Sequence, residues 1–128
     1  MRLLIDTCMF LWLATDDPQR SAAGKAACAD PANDVLLSAV SAWEIAIKYR
    51  LGRLPLPTPP NEYIPSRREW LRLERLDLDE LSAAHTHLLP DLHRDPFDRA
   101  LVAQAIVHGL TIATPDPLVR VYPAPTMW

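Results

Sequence analysis

Two kinds of hydrophobic pattern alternate along this chain. Short runs rich in Leu, Ile and Val occur at residues 2–6, 34–40, 72–78 and 110–114, and a last extended piece ends at Trp128. Such runs are too short for helices and predict buried strands. The segments between them carry helix formers with start and stop signals. They predict helices at residues 7–14, 18–29, 41–52, around Trp70, at 79–88 and at 95–109.

The helix at 41–52 has signals at both ends. Ser41 has the chemistry of an N-cap, Glu44 stands three positions later as the partner in a capping box, and Gly52 follows the last turn. The proline-rich stretch at 53–65 comes next. Proline lacks an N–H and fixes its own backbone, so this stretch predicts an irregular, extended connection.

The helix at 95–109 is preceded by two closely spaced carboxylates. Asp95 suits the N-cap, Pro96 suits the first helical position, and Gly109 suits the C-terminal end. Asp98 lies in the first turn, where a negative charge favours the positive end of the helix dipole. Helix capping therefore explains either acid taken singly. Whether it explains both depends on the acids found elsewhere in the chain.

Strands that alternate with helices predict an α/β fold. Connections of this kind give a mostly parallel sheet, here of four to five short strands, with helices on both faces. The 128 residues are enough for one domain with its own core, so we expect a single domain over residues 1–128. In such sheets, binding sites form at the carboxyl ends of the strands.

Charge and cysteine content limit the functional classes. A net charge of −3 argues against a general electrostatic grip on nucleic acid. Cys8 and Cys28 stand in no metal-ligand spacing and are interpreted as free thiols. The apolar N-terminus is interrupted by Asp6 and is too short to cross a bilayer, so we expect a cytoplasmic protein without a membrane segment.

The arginines are unevenly distributed, with a group in residues 66–75. A local basic patch can steer a polyanion whatever the net charge. Alternatively, these arginines form a solvated helix face with Glu69 and Glu74 as partners. The arginines concerned are Arg67, Arg68, Arg72 and Arg75.

Acidic residues follow the predicted strands at several points. Asp6 ends the first strand, Glu44 lies just past the second, and Asp116 follows the strand at 110–114, which is itself preceded by the helix that Asp98 opens. Each acid has a structural explanation as a turn residue, a cap or a partner of Lys48. Strand ends of a parallel sheet share one rim, however, and carboxylates crowded there repel one another unless a cation is bound.

An all-oxygen group of ligands without a cysteine pattern or a histidine pair favours magnesium or manganese over zinc. Metals held by carboxylates activate water and stabilise charge during the hydrolysis of phosphodiesters. A negatively charged protein could then meet a nucleic acid through the ion. The histidines at 85, 87, 93 and 108 are interpreted as surface or capping residues, not as ligands.

Four blocks of the sequence resemble successive motifs of the PIN-domain family, in particular its VapC-type ribonuclease toxins from bacterial toxin–antitoxin pairs. In chain order the blocks are "LLIDTCMFLW", "SAVSAWEIAIKYRLGRLPLP", "HRDPFDRALVAQA" and "LTIATPDPLVRVYP". The resemblance implies a three-layer α/β/α sandwich and a Mg²⁺- or Mn²⁺-dependent endoribonuclease. It also implies a homodimer that a small antitoxin protein inhibits.

The resemblance implies a set of catalytic and metal-binding acids, with Asp95 as a weaker candidate beside them. Thr7, Ser41 and Thr114 could hydrogen-bond these carboxylates or serve as caps. Cys8 stands where relatives often have histidine, and prolines flank the last acid. The acids carried over by motif are Asp6, Glu44, Asp98 and Asp116.

Two other functions stay open at this stage. Phosphatases that form an aspartyl-phosphate also place an aspartate after the first strand, but their second aspartate would fall at Cys8. A binding module could keep the fold and use its rim only to hold a protein partner.

A homodimer is predicted independently. The apolar helix segment 99–107 and Trp12, Trp43 and Trp70 offer more apolar surface than a small sheet can cover. The sequence does not determine which RNA is cut or how many ions bind.

Overall fold

The computed structural model describes all of residues 1–128 and shows one five-stranded sheet, in which every neighbouring pair is parallel. The order across the sheet is β3-β2-β1-β4-β5. This confirms the predicted α/β class and the parallel sheet. The strands are β1 (Arg2–Ile5), β2 (Asp34–Ser38), β3 (Glu74–Leu76), β4 (Thr111–Ala113) and β5 (Thr126–Met127).

Seven α-helices and one short 3-10 helix connect the strands, and no helix combines the length and hydropathy needed to cross a membrane. The α-helices are α1 (Thr7–Ala14), α2 (Ala22–Ala29), α3 (Ala39–Arg50), α4 (Pro60–Trp70), α5 (Glu80–His85), α6 (Pro96–His108) and α7 (Pro117–Arg120). The 3-10 helix spans Thr86–Leu88 and follows α5 directly.

Both faces of the sheet are covered, which produces the expected three layers. Successive residues of a strand point to opposite faces. Accordingly, Leu4 belongs to a core cluster that includes Leu101 and Val102 of α6. Leu3 and Ile5 belong to a second cluster, with apolar residues of α1, α3 and α4. A strand buried on both faces needs a continuous apolar run, and this explains the sequence of β1.

Several predicted boundaries were wrong. The helix predicted at 41–52 begins at Ala39, because the hydroxyl of Ser38, not of Ser41, accepts the capping hydrogen bond, from the N–H of Val40. The helix predicted from residue 18 begins only at Ala22, after its N-cap Ser21. The turn predicted after the 110–114 strand contains the single-turn helix α7.

The proline-rich stretch at 53–65 was predicted to be irregular throughout. This prediction was wrong for its second half, because α4 begins at Pro60. Pro60 takes the first helical position, where no N–H is needed. Pro65 lies inside the helix. Its neighbours Tyr63 and Ile64 are buried, and Ile64 joins the second core cluster. Packing of this apolar pair therefore outweighs the hydrogen bond that Pro65 cannot donate.

The strand order places a switch point between β1 and β4. From β1 the chain moves through β2 to β3 on one side, then crosses over to β4 and β5 on the other. Connections leave β1 and β4 in opposite directions, so a crevice forms at their carboxyl ends. Asp6 follows β1 and Thr114 follows β4, which puts both residues at this crevice.

Candidate metal centre

Asp6 is the buried acid of the crevice. Its Oδ1 caps α1 by accepting the N–H of Met9 at 2.8 Å, and its Oδ2 accepts the hydroxyl of Thr114 at 2.5 Å. Burial raises the pKa of Asp6 to about 6, against the lowering effect of these two hydrogen bonds, and the charges of Asp98 and Asp116 raise it further. Asp6 therefore caps α1, and burial destabilises its ionised form.

Asp98 is the second acid with a strongly raised pKa. Burial, followed by the charge of Asp95, raises the pKa of Asp98 to about 6, and Glu44 and Asp116 add to the effect. Its Oδ2 contacts Nε2 of His93 at 3.2 Å. Asp98 lies in the first turn of α6, where its charge favours the helix dipole as predicted, but it accepts no backbone N–H and is not the hydrogen-bonding cap. That role belongs to Asp95, whose Oδ1 accepts the N–H groups of Phe97 and Asp98.

Glu44 lies on α3 with its side chain buried. Its Oε1 accepts the hydroxyl of Thr7 at 2.7 Å, and its Oε2 pairs with Nζ of Lys48 at 2.5 Å. Partial burial opposes the charge of Lys48, but the hydrogen bond and opposite charge of Glu44 raise the pKa of Lys48. The predicted capping box is absent, because Glu44 reaches α1 and Lys48 instead of the backbone of Ser41. Its helix-face pairing with Lys48 was correctly predicted.

Asp116 is the N-cap of α7, and its Oδ1 accepts the N–H of Leu118 at 2.8 Å. The N–H of Asp116 donates to the Thr114 hydroxyl at 3.1 Å, and that hydroxyl itself donates to Asp6. Thr114 therefore links the acid after β1 to the acid after β4. The flanking prolines leave Asp116 at the same rim, since its charge acts on both Asp6 and Asp98.

The sequence-predicted acids therefore influence one another, but they do not form a closed ligand cage. No three His, Cys, Asp or Glu side chains are arranged closely enough to hold one ion. Their chemistry nevertheless fits a hard divalent cation, because all donors are carboxylate oxygens. Desolvation of its sulphur, together with the charges of Asp6 and Glu44, raises the pKa of Cys8 to about 11, so this neighbouring thiol stays neutral and is a poor ligand.

His93 was predicted to be a surface or capping residue, and this prediction was wrong. Its ring is largely buried, with 11% of the side chain exposed, and it contacts both Asp98 and the hydroxyl of Tyr122. The only signal was its place five residues before Asp98 in "HRDPFD". Thr7, Ser41 and Thr114 were predicted as possible partners of the acids. Thr7 bonds Glu44 and the hydroxyl of Ser41, and Thr114 bonds Asp6.

A concavity of about 510 Å³ does not coincide with the acids. It lies near the amino ends of β2 and β3 and is lined by both charges and apolar groups, among them Arg20, Asp34, Trp70 and Glu74. Its residues include none of the four acids, so this concavity is separate from the candidate metal centre. Of the arginines in 66–75, Arg67 lies 4.8 Å over the Trp70 ring, and none forms an ion pair with Glu69 or Glu74.

Known proteins resemble this chain in sequence and in fold. It is 44% identical over 73 residues to Ribonuclease VapC16 of Mycobacterium tuberculosis (strain ATCC 25618 / H37Rv), an alignment covering 51% of this chain and 52% of that protein. The alignment thus spans about half of that relative. Ribonuclease VapC22 of the same strain is 26% identical over 129 residues, with 98% of each chain covered.

A solved structure shows the same fold. The crystal structure of VapBC2 from Rickettsia felis, bound to a DNA fragment from their promoter, matches with a TM-score of 0.75 and 14% identity, covering 100% of this chain and 99% of that one. The sequence model of the PIN domain matches residues 3–122, which include β1 to β4 and all four acids. The chain belongs to the PIN domain family.

Proposed function

We propose that this chain is a divalent-metal-dependent endoribonuclease and the toxin of a toxin–antitoxin pair. One observation supports the catalytic part: Asp6 follows β1 at the crevice, the charge of Asp98 acts on it, and burial raises the pKa of each of these two acids to about 6. At neutral pH both are ionised at a cost, which a bound cation would offset. Groups with perturbed pKa values in a cleft are the usual sign of a functional site.

The residues that would hold Mg²⁺ or Mn²⁺ are Asp6, Glu44, Asp98 and Asp116. When bound, such an ion supplies a more acidic water and countercharge for the phosphodiester. The chain itself contributes orientation. Thr114 holds Asp6, Thr7 and Lys48 hold Glu44, and the α7 N-terminus holds Asp116. Side chains fixed by such contacts would need little further ordering when an ion or a substrate arrives.

The assignment to RNA and to a toxin rests on similarity. The two relatives above are named ribonucleases, and the Rickettsia structure is that of VapBC2 bound to a DNA fragment from their promoter. We infer by analogy that the substrate is RNA, that the natural inhibitor is a small antitoxin protein, and that the protein acts in the cytoplasm, where RNA is available. An arginine of the antitoxin could pair with the acids in place of the ion.

A homodimer is part of the proposal, on different grounds from those of the sequence. Residues 101–105 of α6 are buried within the chain, so this helix does not offer the apolar surface that was predicted. Trp12 packs against Trp128. Trp43 and Trp70 stay exposed, at 58% and 59%, and Trp43 packs edge-on against Phe97 beside the acids. A dimer formed around Trp43 would bring two acidic rims together.

The test is cleavage of a fluorogenic RNA by the purified protein with Mg²⁺, with Mn²⁺ and with excess EDTA. We expect cleavage only with a divalent ion, and none by an Asp6→Asn variant purified in parallel, which controls for contaminating ribonuclease. Undiminished cleavage in EDTA would contradict the metal requirement. No cleavage of any RNA in either ion would favour the binding-module alternative. Sedimentation at micromolar concentration tests the dimer, and a mass of one chain would exclude it.

A further inference from the structure

Behind Asp98 lies a chain of hydrogen bonds that ends on its carboxylate. An N–H of Arg99 donates to the Tyr122 hydroxyl at 3.0 Å. That hydroxyl lies 2.8 Å from Nδ1 of His93, and Nε2 of His93 lies 3.2 Å from Oδ2 of Asp98. The series therefore links Arg99, the residue after Asp98, to the Asp98 carboxylate. The link runs through the side chains of Tyr122 and His93.

The donor and acceptor of each hydrogen bond in this series can be assigned by starting from Arg99. Arg99 can only donate, so the Tyr122 oxygen is an acceptor on that side. The Tyr122 hydrogen then goes to His93 Nδ1, which is nearer than its alternative acceptor, the His93 carbonyl at 3.5 Å. An accepting Nδ1 leaves the hydrogen on Nε2 in the neutral ring. His93 thus donates to Asp98, and both of its ring nitrogens are occupied, which excludes it as a metal ligand in this arrangement.

The far end of the series is rigid. Tyr122 is 3% exposed and belongs to the core cluster on the α6 side of the sheet. The Arg99 guanidinium also donates to three backbone carbonyls of the segment before α6, those of Thr86, Leu89 and Pro90. The His93 ring packs against the Tyr122 ring with centroids 5.2 Å apart. The imidazole is therefore held in place independently of Asp98.

We propose that His93 is a positioning residue for Asp98: it fixes Oδ2 and so leaves Oδ1, which accepts no hydrogen bond, for a divalent cation. This inference rests on the proposed function, because it assumes that Asp98 binds metal. The physical basis is general. A partner that holds a ligating carboxylate by a hydrogen bond fixes its orientation, and loss of such a partner weakens metal binding by about 10- to 100-fold.

Two substitutions separate the contacts of His93. In His93→Asn the amide reaches the position of Nδ1 and can still meet Tyr122, but nothing reaches Asp98. In His93→Gln the amide nitrogen reaches the position of Nε2 and can donate to Asp98. We expect Asn to weaken Mn²⁺ binding by about 10-fold or more and Gln to restore it to within about threefold of the parent. Titration calorimetry or the electron paramagnetic resonance signal of free Mn²⁺ measures the affinity without any RNA.

The chain offers a matched control in its other histidine–aspartate pair. Nε2 of His108, at the opposite end of α6, lies 2.8 Å from Oδ1 of Asp79. His108→Asn breaks this pair and should leave Mn²⁺ affinity unchanged. Parent-like binding by His93→Asn would overturn the positioning role, as would equal weakening by His93→Asn, His93→Gln and His108→Asn. If the parent itself bound no Mn²⁺, the proposed function would fail first, and the inference with it.

Discussion

The hydroxyl of Thr114 donates a 2.5 Å hydrogen bond to Oδ2 of Asp6, although the two residues are 108 positions apart. The bond spans the crevice between β1 and β4 at the switch point of the sheet. It is buried, and it lowers the pKa of Asp6 against the larger effect of burial. One neutral side chain therefore helps to keep the acid ionised at the centre of the proposed site.

Thr114→Val should destabilise the protein more at alkaline than at acidic pH. Valine keeps the shape but donates no hydrogen bond, so ionised Asp6 loses a partner that counts for roughly 1 to 3 kcal/mol in a buried place. At pH 5 Asp6 is protonated, and removal of the hydrogen bond then costs less free energy of unfolding. Urea unfolding in EDTA at pH 5 and pH 8 measures the difference. Thr15→Val is the control, since the Thr15 hydroxyl donates to a carbonyl at an exposed helix end. An equal cost at both pH values would contradict the argument.

The metal-free protein should lose stability as pH rises from about 4 to about 6. Asp6 and Asp98 have pKa values near 6 in the folded chain against an ordinary 3.8, so in this interval the folded state binds more protons than the unfolded state. Their contribution is complete below pH 4 and is lost as pH rises through 6, by at most roughly 3 kcal/mol for Asp6 and by less for Asp98, which solvent screens more. Adding Mg²⁺ at pH 7.5 should recover stability, because the ion binds only the folded form.

Chemical unfolding in EDTA across pH 4 to 8 measures this dependence. Asp79→Asn is the control acid, since its hydrogen bond with His108 holds the pKa of Asp79 well below its usual range and its effect therefore falls at lower pH. The control should keep the decline between pH 4 and 6, whereas Asp98→Asn should reduce it. A flat or rising stability over that interval in the parent would show that the acids are not coupled in the way the structure indicates.

The sequence predicted those features that depend on local chemistry. The first helix was predicted at 7–14, where the structure has it, and Asp6 is its N-cap after a strand that is apolar from Leu3 to Ile5. The parallel sheet followed from the alternation of strands and helices. Helix starts were less certain where two candidate caps lie close together. Ser38 and Ser41 have the same chemistry, but Ser38 is the N-cap, whereas Ser41 is buried inside the helix and accepts the Thr7 hydroxyl.

Thr7 and Thr114 were predicted as possible partners of the acids, but the sequence did not indicate which acid each would contact, because the partners come from distant parts of the chain. Thr114 and Asp6 meet only when β4 pairs with β1. Tyr122 reaches His93 only after the chain has passed through α6, β4 and α7. A local pattern contains no signal for such contacts. The local pattern does show where acids follow strands. The candidate acids could therefore be predicted from the sequence, whereas their hydrogen bonds could not.

Gln104 should be a stability residue and not a catalytic one. It is fully buried, its Oε1 accepts the Ser38 hydroxyl at 2.5 Å, and its Nε2 donates to the Asp77 carbonyl. Gln104→Leu keeps the volume but leaves both partners unpaired, so we expect a loss of about 2 to 4 kcal/mol in unfolding free energy. Gln19→Leu, at an exposed position, is the control and should cost little. Similar losses for both variants in urea unfolding would refute the assignment.

Asp98 and Asp95 provide the sharpest comparison, because the same substitution should have opposite effects three residues apart. In Asp98→Asn the side chain can still accept from His93, and the rim loses one repelling charge, so the metal-free protein should be as stable as the parent or more stable. RNA cleavage should fall by orders of magnitude, since a metal-binding carboxylate is gone. Asp6→Asn and Glu44→Gln should reduce cleavage in the same way.

In Asp95→Asn the amide oxygen can still cap α6, but the charge at its N-terminus is lost. We expect a cost of roughly 0.3 to 1 kcal/mol and cleavage close to that of the parent. Thermal unfolding in EDTA and initial rates across a Mg²⁺ titration measure both properties for both variants. If Asp98→Asn melted several degrees lower without metal yet cut RNA at the parent's rate, Asp98 would be a structural residue. The acids of the first turn of α6 would then have no part in catalysis.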